Sequence, residues 1–577
     1  MLFQDYLKLE IFEIVKKLLD QKKIEINDLK NKNFSVEVSQ KKEFGDLSSN
    51  VALVFSKFFK TKPEILANEI LLELKKNSQI SKIEVVKPGF INIFFLNSFW
   101  QSQLSTFIKL QGIFDYKIPK KNICIEYVSA NPTGLMHIGH ARGAVFGDTL
   151  SSILEEVGHN VTREYYINDA GEQIKKLKST VNYHINNLLD NKNEVTDLPD
   201  DLYPGEYILN VAKKLVTELS IVRDFDLKQI RSLENKIISI IINDIKDDLK
   251  KVGVKHDKFT SEKKVSSKAN VEKLKEKLIK SKLAYFGVQE KPKNIPEKDW
   301  KQEEQFLFCS KKFGDDSDRT LIKPNGEITY FMSDILYHQN KIERNYDELI
   351  NVWGVDHFGY VKRLKSAINA INEDKKIELE IKLTSLVNLM KNNVKFKMSK
   401  RRGTYVTMRE VIDKVGVDAL RFMMISRNAD KTIDFDFQLL QQKNKENQVF
   451  YVQYAFARCM SILNSSKENF KKKRLDNFNL EFLDLHEEKM IIKYLCSFYN
   501  IIKGAAQNYE PHRITNFLYD LSKIFHYYWG LGNIDKNKRI ISENFNITES
   551  RLALVKALSL TIKKGLSLLK INSPVSM

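Results

Sequence analysis

In the stretch NPTGLMHIGHARG, residues 131–143, two histidines stand on either side of an Ile-Gly pair. His137 and His140 fall where an apolar strand pattern gives way to helical spacing. Imidazole N–H groups at a helix start, beside its free backbone N–H groups, are suited to phosphate or ribose oxygens. Gly139 between them has no side chain to block a close approach. A second stretch, KFKMSKRRGTYV at 395–406, gathers Lys395, Lys397, Lys400, Arg401 and Arg402 ahead of a glycine. A cationic loop of that kind suits the charge that builds on a departing phosphate group. Taken singly, each pattern also describes solvated surface: two histidines at a helix start, and a run of exposed cations.

The elements that must position these groups are legible around them. In KNICIEYVSANPTG, Ile123, Ile125 and Val128 supply a strand. Ile138, Ala141, Ala144, Val145, Ile153, Leu154 and Val157 then recur at helical spacing until Gly158, and a second strand follows in VTREYYIND. Strand, helix and strand in so short a span predict a βαβ unit of a parallel sheet, whose carboxyl edge is where such folds bind nucleotides.

The fold class predicted is α/β: a doubly wound, parallel-sheet, Rossmann-like domain flanked by an N-terminal α+β domain and a C-terminal all-α bundle. Residues 1–112 form the first, ending in SKIEVVKPGFINIFFLN, where apolar and polar residues alternate around a Pro-Gly turn. Residues 113–440 form the second, with a lysine-rich insertion at about 175–330. Sheet-like signals return at EITYFMSDILYH and YDELINVWGVDHFGY. Residues 441–577, opening near QVFYVQYAFARCMSILN, form the helical bundle.

Composition sets the outer limits. A chain of 577 residues is expected to hold about three to four domains. Cys124, Cys309, Cys459 and Cys496 form no CxxC pair, which argues against a disulfide framework and a cysteine-based zinc site and for a reducing, cytoplasmic setting. Asp5, Lys8, Glu10 and Glu13 interrupt any signal-peptide stretch, and no later run reaches spanning length, so no membrane partner is expected. Lys and Arg exceed Asp and Glu by 93 to 74, a net charge of +19, which suits a polyanionic partner. A lysine, isoleucine and asparagine bias runs through the whole chain, so charge alone does not decide this.

Together, the HIGH and KMSK segments resemble the signature pair of class I aminoacyl-tRNA synthetases. The flanking segments narrow the resemblance to arginyl-tRNA synthetases over nearly the whole chain. They are EYVSANPTGLMHIGHARGAVFGD, REYYINDAGEQI, GDDSDRTLIKPNGEITYFMSDILYH, VWGVDHFGYVKR, KMSKRRGTYVT, DALRFMM and FYVQYAFAR, with FGDLSSNVA and KPGFINIFF before them and PVSM at the end.

The resemblance implies an ATP-dependent, AMP-forming arginine–tRNA ligase. The arginine carboxylate attacks the α-phosphorus of ATP, and the arginyl group then passes to the 3′-terminal adenosine of its tRNA. His137 and His140 match donors near the α-phosphate and ribose, and Lys397 and Lys400 match the residues that steady pyrophosphate. ATP with Mg²⁺ is the implied substrate complex, and no zinc is implied. Gly139, Met398 and Ser399 join the ATP site; Gly354 permits close approach, and Asp356 or His357 bonds ribose or substrate. A guanidinium needs carboxylate partners, and Glu126 and Asp334 match the family's guanidinium ligands. Ser129, Asn131 and Tyr330 complete the arginine pocket, with His357 a candidate there too. Asp169 fits either the pocket or a turn. The N-terminal domain is implied to contact the tRNA elbow. Tyr451, Tyr454, Phe456, Arg458 and Met577 are the candidates for the anticodon, by stacking and backbone charge. A monomer is expected. Arg401 stands where many class I enzymes have Ser, and Met136 where Leu is commoner. Rival readings are a class I synthetase for another amino acid, and an RNA-binding paralogue without ligase activity.

Overall fold

The computed structural model describes residues 3–25, 33–39, 42–110, 114, 116, 118–190, 198–199, 201–219, 227–291, 302–372, 377–391, 394–396, 406–466 and 478–577. Lys397, Met398, Ser399 and Lys400, with Arg401 and Arg402, lie outside the described residues.

The chain begins with helix α1 (Phe3–Gln21), strands β1 (Val36–Val38) and β2 (Leu47–Ser49), and helices α2 (Val51–Phe55) and α3 (Pro63–Leu74). The hairpin β3 (Ile80–Val86) and β4 (Phe90–Phe95) follows, then α4 (Asn97–Leu110). The alternation around Pro88-Gly89 does form this hairpin, and Ile91, Ile93 and Phe95 of β4 are buried. The four strands make an antiparallel sheet in the order β1-β2-β4-β3.

Next come β5 (Asn122–Glu126), α5 (Ile138–Glu156) and β6 (Asn160–Ile167), the βαβ unit read from the sequence. Val128 lies past the strand, in a loop where Val128 and Ser129 have φ of 73° and 39°. Helices α6 (Glu172–Leu189), α7 (Glu206–Leu219) and α8 (Leu227–Lys251) lead to β7 (Lys258–Ser261), α9 (Glu262–Val265) and α10 (Lys268–Lys280). Strands β8 (Ala284–Val288), β9 (Glu304–Phe308) and β10 (Arg319–Ile322) form an antiparallel sheet, followed by α11 (Tyr330–Ile342), β11 (Glu348–Gly354), α12 (Phe358–Ile371) and β12 (Glu378–Thr384). The central sheet runs β12-β11-β5-β6-β7 and is parallel throughout. Ile123, Cys124, Ile125 and Glu126 of β5 are all buried, as a central parallel strand with both faces covered demands.

Two features depart from the sequence reading. Within 175–330, β7 pairs with β6 in the central sheet, so helices α6 to α8 precede one of its strands and the β8–β10 sheet follows it. The stretch EITYFMSDILYH is not a strand: from Tyr330 it is α11, whose start is capped by Thr329 accepting from the Met332 N–H. Aromatic and branched residues lend that stretch a strand-like composition. Its helical periodicity is masked because Asp334, His338 and Lys341 face inward.

After β13 (Val387–Lys391) and β14 (Val394–Phe396), helix α13 (Met408–Met424) leads to β15 (Ile433–Asp436) and α14 (Phe437–Gln441). The C-terminal bundle holds α15 (Gln448–Ser465), α16 (His486–Gln507), α17 (His512–Ile534) and α18 (Phe545–Leu568). One apolar core runs from Leu7 of α1 through Ile123 of β5 to Ile562 of α18. A buried ionic junction reinforces it at Arg421 of α13. The guanidinium donates to Asp148 Oδ2 of α5 (2.8 Å), the Val252 carbonyl (2.9 Å) and the Leu569 carbonyl (2.8 Å). Lys570 Nζ holds the other Asp148 oxygen at 2.6 Å. The four cysteines are buried and free, and no helix among the described residues is long and apolar enough to cross a membrane.

Candidate active site

The histidine loop leaves the carboxyl end of β5 and enters α5 with His137 as its N-cap. The Gly139 N–H donates to His137 Nδ1 (3.1 Å) and the His137 N–H to His140 Nδ1 (3.4 Å), while the two rings stack at 3.7 Å. Because both Nδ1 atoms accept, the ring proton sits on Nε2 in each neutral imidazole, and that N–H is the one fit to donate to a phosphate. A Cβ on Gly139 would lie 3.0 Å from the His137 ring, so glycine permits the stacking. The chain emerging from the basic loop is tied here. His137 bridges Thr407, and the Met408 N–H donates to the Met136 carbonyl at 2.9 Å. Thr407 in turn caps α13 in a reciprocal box with Glu410.

At the foot of this loop the sheet carries charge. Strand register sets Glu126 beside Asn351 of β11 and Glu164 of β6. Glu126 is 4% exposed; its Oε2 accepts from Lys341 Nζ at 2.6 Å and its Oε1 from Ser129 Oγ at 3.0 Å. Ser129 Oγ also accepts the Tyr166 N–H (3.0 Å), which holds the left-handed turn at Val128-Ser129 in place. Asp334 Oδ2 accepts from the Tyr360 hydroxyl at 2.7 Å. Burial pushes the Asp334 carboxyl up to about 7; the negative charges of Glu126 and Glu262 add to this, and the Tyr360 hydrogen bond opposes it. The Asp334 carboxyl thus senses the charge of Glu126.

Around them, Asn131 accepts from Asn168 Nδ2 (2.7 Å) and donates to Gln173 Oε1 (2.8 Å). Tyr330 is 67% exposed at the start of α11, its hydroxyl near Gly171. Asp169 accepts from Ser261 Oγ (2.6 Å) and the Lys263 N–H (2.9 Å), which ties down the turn into α9. Gly354, Asp356 and His357 lie where β11 ends and α12 begins, with His357 and Asp356 exposed and 3.5 Å apart. A Cβ on Gly354 would meet the Asp356 carboxylate, so the close approach there comes from its own loop. Sequence reading passed over Tyr166, Asn168, Gln173 and Glu262. Glu262 is buried, its carboxyl is raised by desolvation, and its Oε2 has no hydrogen-bond partner among the described residues.

Residues 7–95 match the arginyl tRNA synthetase N terminal domain, 108–455 the catalytic domain of class I (R) tRNA synthetases, and 452–577 the DALR anticodon binding domain. The chain belongs to the arginyl-tRNA synthetase family. It is 40% identical over 578 residues to an arginine–tRNA ligase of Pelagibacter ubique, covering 98% of each chain. It is 39% identical over 581 residues to one of Wolbachia pipientis, covering 98% of this chain and 99% of that one. The structure of the Thermus thermophilus arginyl-tRNA synthetase shares the fold, with a TM-score of 0.75 over 100% of both chains at 19% identity. As an arginyl-tRNA synthetase it is an aminoacyl-tRNA ligase whose amino acid is arginine.

In the synthetase's DALR domain, Tyr451, Tyr454 and Arg458 share one half-buried face of α15. Arg458 donates to the Tyr454 hydroxyl (2.9 Å), meets His526 Nδ1 (2.8 Å) and lies 5.4 Å from the Trp529 ring. Burial pushes His526 down to about 4, so it stays neutral and accepts from the arginine. Phe456, one of the candidate stacking rings, is instead 3% exposed and belongs to the bundle core. Met577 is 54% exposed, and the tail leading to it is held by the Asn572 N–H on Asp418 Oδ1 at 3.1 Å.

Proposed function

We propose that the carboxyl edge of the central sheet activates arginine on ATP with the following division of labour. Glu126 and Asp334 take the guanidinium beside Ser129, Asn131 orients the amino acid's backbone groups, and Tyr330 closes the pocket wall. His137 and His140 donate through Nε2–H to the α-phosphate and ribose. Gly139, Gly354, Asp356, His357, Met398 and Ser399 frame the nucleotide. Lys397 and Lys400 neutralise the departing pyrophosphate, and ATP is taken as its Mg²⁺ complex. No covalent enzyme intermediate is needed, because positioning the carboxylate against the α-phosphorus and stabilising phosphate charge suffice.

On the tRNA side, Tyr451, Tyr454 and Arg458 with Met577 receive the anticodon, while the domain spanning 1–112 contacts the elbow. The enzyme works as a monomer in the cytoplasm. The observation that carries the arginine site is the pairing of two carboxylates, Glu126 buried on β5 and Asp334 on α11, at the foot of the histidine loop. Calorimetry on Asp334→Ala tests it. Arginine affinity should fall about a hundredfold or more while ATP affinity stays within about twofold; equal arginine affinity in variant and parent removes Asp334 from the pocket.

A further inference from the structure

Lys341 enters none of these roles, yet its side chain is fully buried at the same site. It is reached from Asp334 along one stripe of α11: Asp334, His338 and Lys341 recur at helical spacing and face the sheet. A chain of hydrogen bonds of fixed direction joins them. His338, pushed down to about 3 by burial and the Lys341 charge, is neutral; its Nδ1–H donates to the Asp334 carbonyl at 2.8 Å. His338 Nε2 must then accept, and it takes the Asn351 amide at 2.8 Å. That orients Asn351 Oδ1 toward Lys341 Nζ, which donates at 3.0 Å and gives its shortest bond, 2.6 Å, to Glu126 Oε2.

We propose that Lys341 is a positioning residue for arginine recognition, holding Glu126 ionised and turned so that Oε1 meets the guanidinium. This rests on the reading that Glu126 is a guanidinium ligand. An ammonium only donates, so Glu126 is shared between an internal cation and the arriving one. A carboxylate this buried, once deprived of its cation, takes up a proton rather than remain charged. Arginine would then have to expel that proton before it could pair. The other titratable or charged groups facing the pair are Cys124 of β5, Glu164 and Tyr166 of β6, Asp334, Tyr337 and His338 of α11, and Arg344 just beyond it. Arg344 is already matched to Glu164 at 2.7 Å and does not replace Lys341.

The test is the arginine KM of ATP–pyrophosphate exchange, measured with tRNA present and followed from about pH 6.5 to pH 9 in full-length variants. Lys341→Met should raise that KM about tenfold at pH 7, with the deficit closing as pH rises and the pocket carboxylates that have lost their cation, Asp334 among them, ionise. The KM for ATP, and kcat at saturating arginine, should stay within about twofold. Lys341→Arg should restore the parent profile, since a guanidinium also donates to a carboxylate. Lys341→Gln keeps a donor without the charge and should show the same pH slope as Lys341→Met, so it serves if the methionine variant fails to fold. A KM deficit in both neutral variants that is constant across pH would mean simple loss of packing, and would overturn the inference. Glu126→Gln separates the premise: if it leaves the arginine KM unchanged, the reading of Glu126 fails, whatever Lys341 does.

Discussion

If Asp334 takes the guanidinium as proposed, arginine binding is a proton-linked event. Burial and the neighbouring charges of Glu126 and Glu262 push its carboxyl up to about 7. Only the ionised form pairs with a guanidinium, so binding draws on that form alone. With a pKa of about 7, about one-tenth of the empty sites are competent at pH 6 and about nine-tenths at pH 8. The apparent Kd for arginine should therefore fall about tenfold between those two pH values. At pH 7 about half a proton per site should be released on binding. Titration calorimetry in two buffers of different ionisation heat reads both quantities at once. Asp334→Asn is the control, since it keeps the Tyr360 contact but has no proton to lose. An arginine affinity that is flat from pH 6 to pH 8, or a proton release identical in parent and control, would refute the reasoning.

Three further outcomes follow from the same geometry. His140→Ala removes one proposed phosphate donor and should slow adenylate formation about a hundredfold with tRNA affinity unchanged; an undiminished rate of ATP–pyrophosphate exchange, measured with tRNA present, would rule that role out. Tyr454→Ala should weaken tRNA binding by about 1–3 kcal/mol, the worth of one stacked base, and leave the arginine and ATP KM values alone; filter binding that finds full affinity would return Tyr454 to the bundle's own packing. Arg421→Met strands a buried Asp148 with Lys570 as its remaining cation and should cost about 3–5 kcal/mol in urea unfolding, with an unshifted midpoint counting against the junction.

Local pattern made much of this molecule readable. The β5–α5–β6 unit and the β3–β4 hairpin follow from periodicity and turn residues within short windows. The two histidines stood out because their spacing is local as well. What escaped is what tertiary contact decides. Helix α11 was hidden because it is buried nearly all round, with His338 and Lys341 interrupting the apolar spacing. Strand β7 spans only Lys258–Ser261 and carries no alternation long enough to register. Lys341 bonds a carboxylate 215 residues away, and Glu262 approaches Asp334 only because β7 ends beside β6. No window of sequence contains either pair.

The convergence on Arg421 bears on how this enzyme can be cut. A fragment that begins at Gln448, the start of α15, leaves Arg421 behind and carries away Leu569, whose carbonyl accepts from the guanidinium, and Lys570, which holds Asp148. The remaining piece keeps Asp148 with a single cation and loses the carbonyl that capped the guanidinium from above. Each half would expose an ionic socket as well as an apolar face, so the two should be prepared by co-expression, and either one alone is a candidate for aggregation.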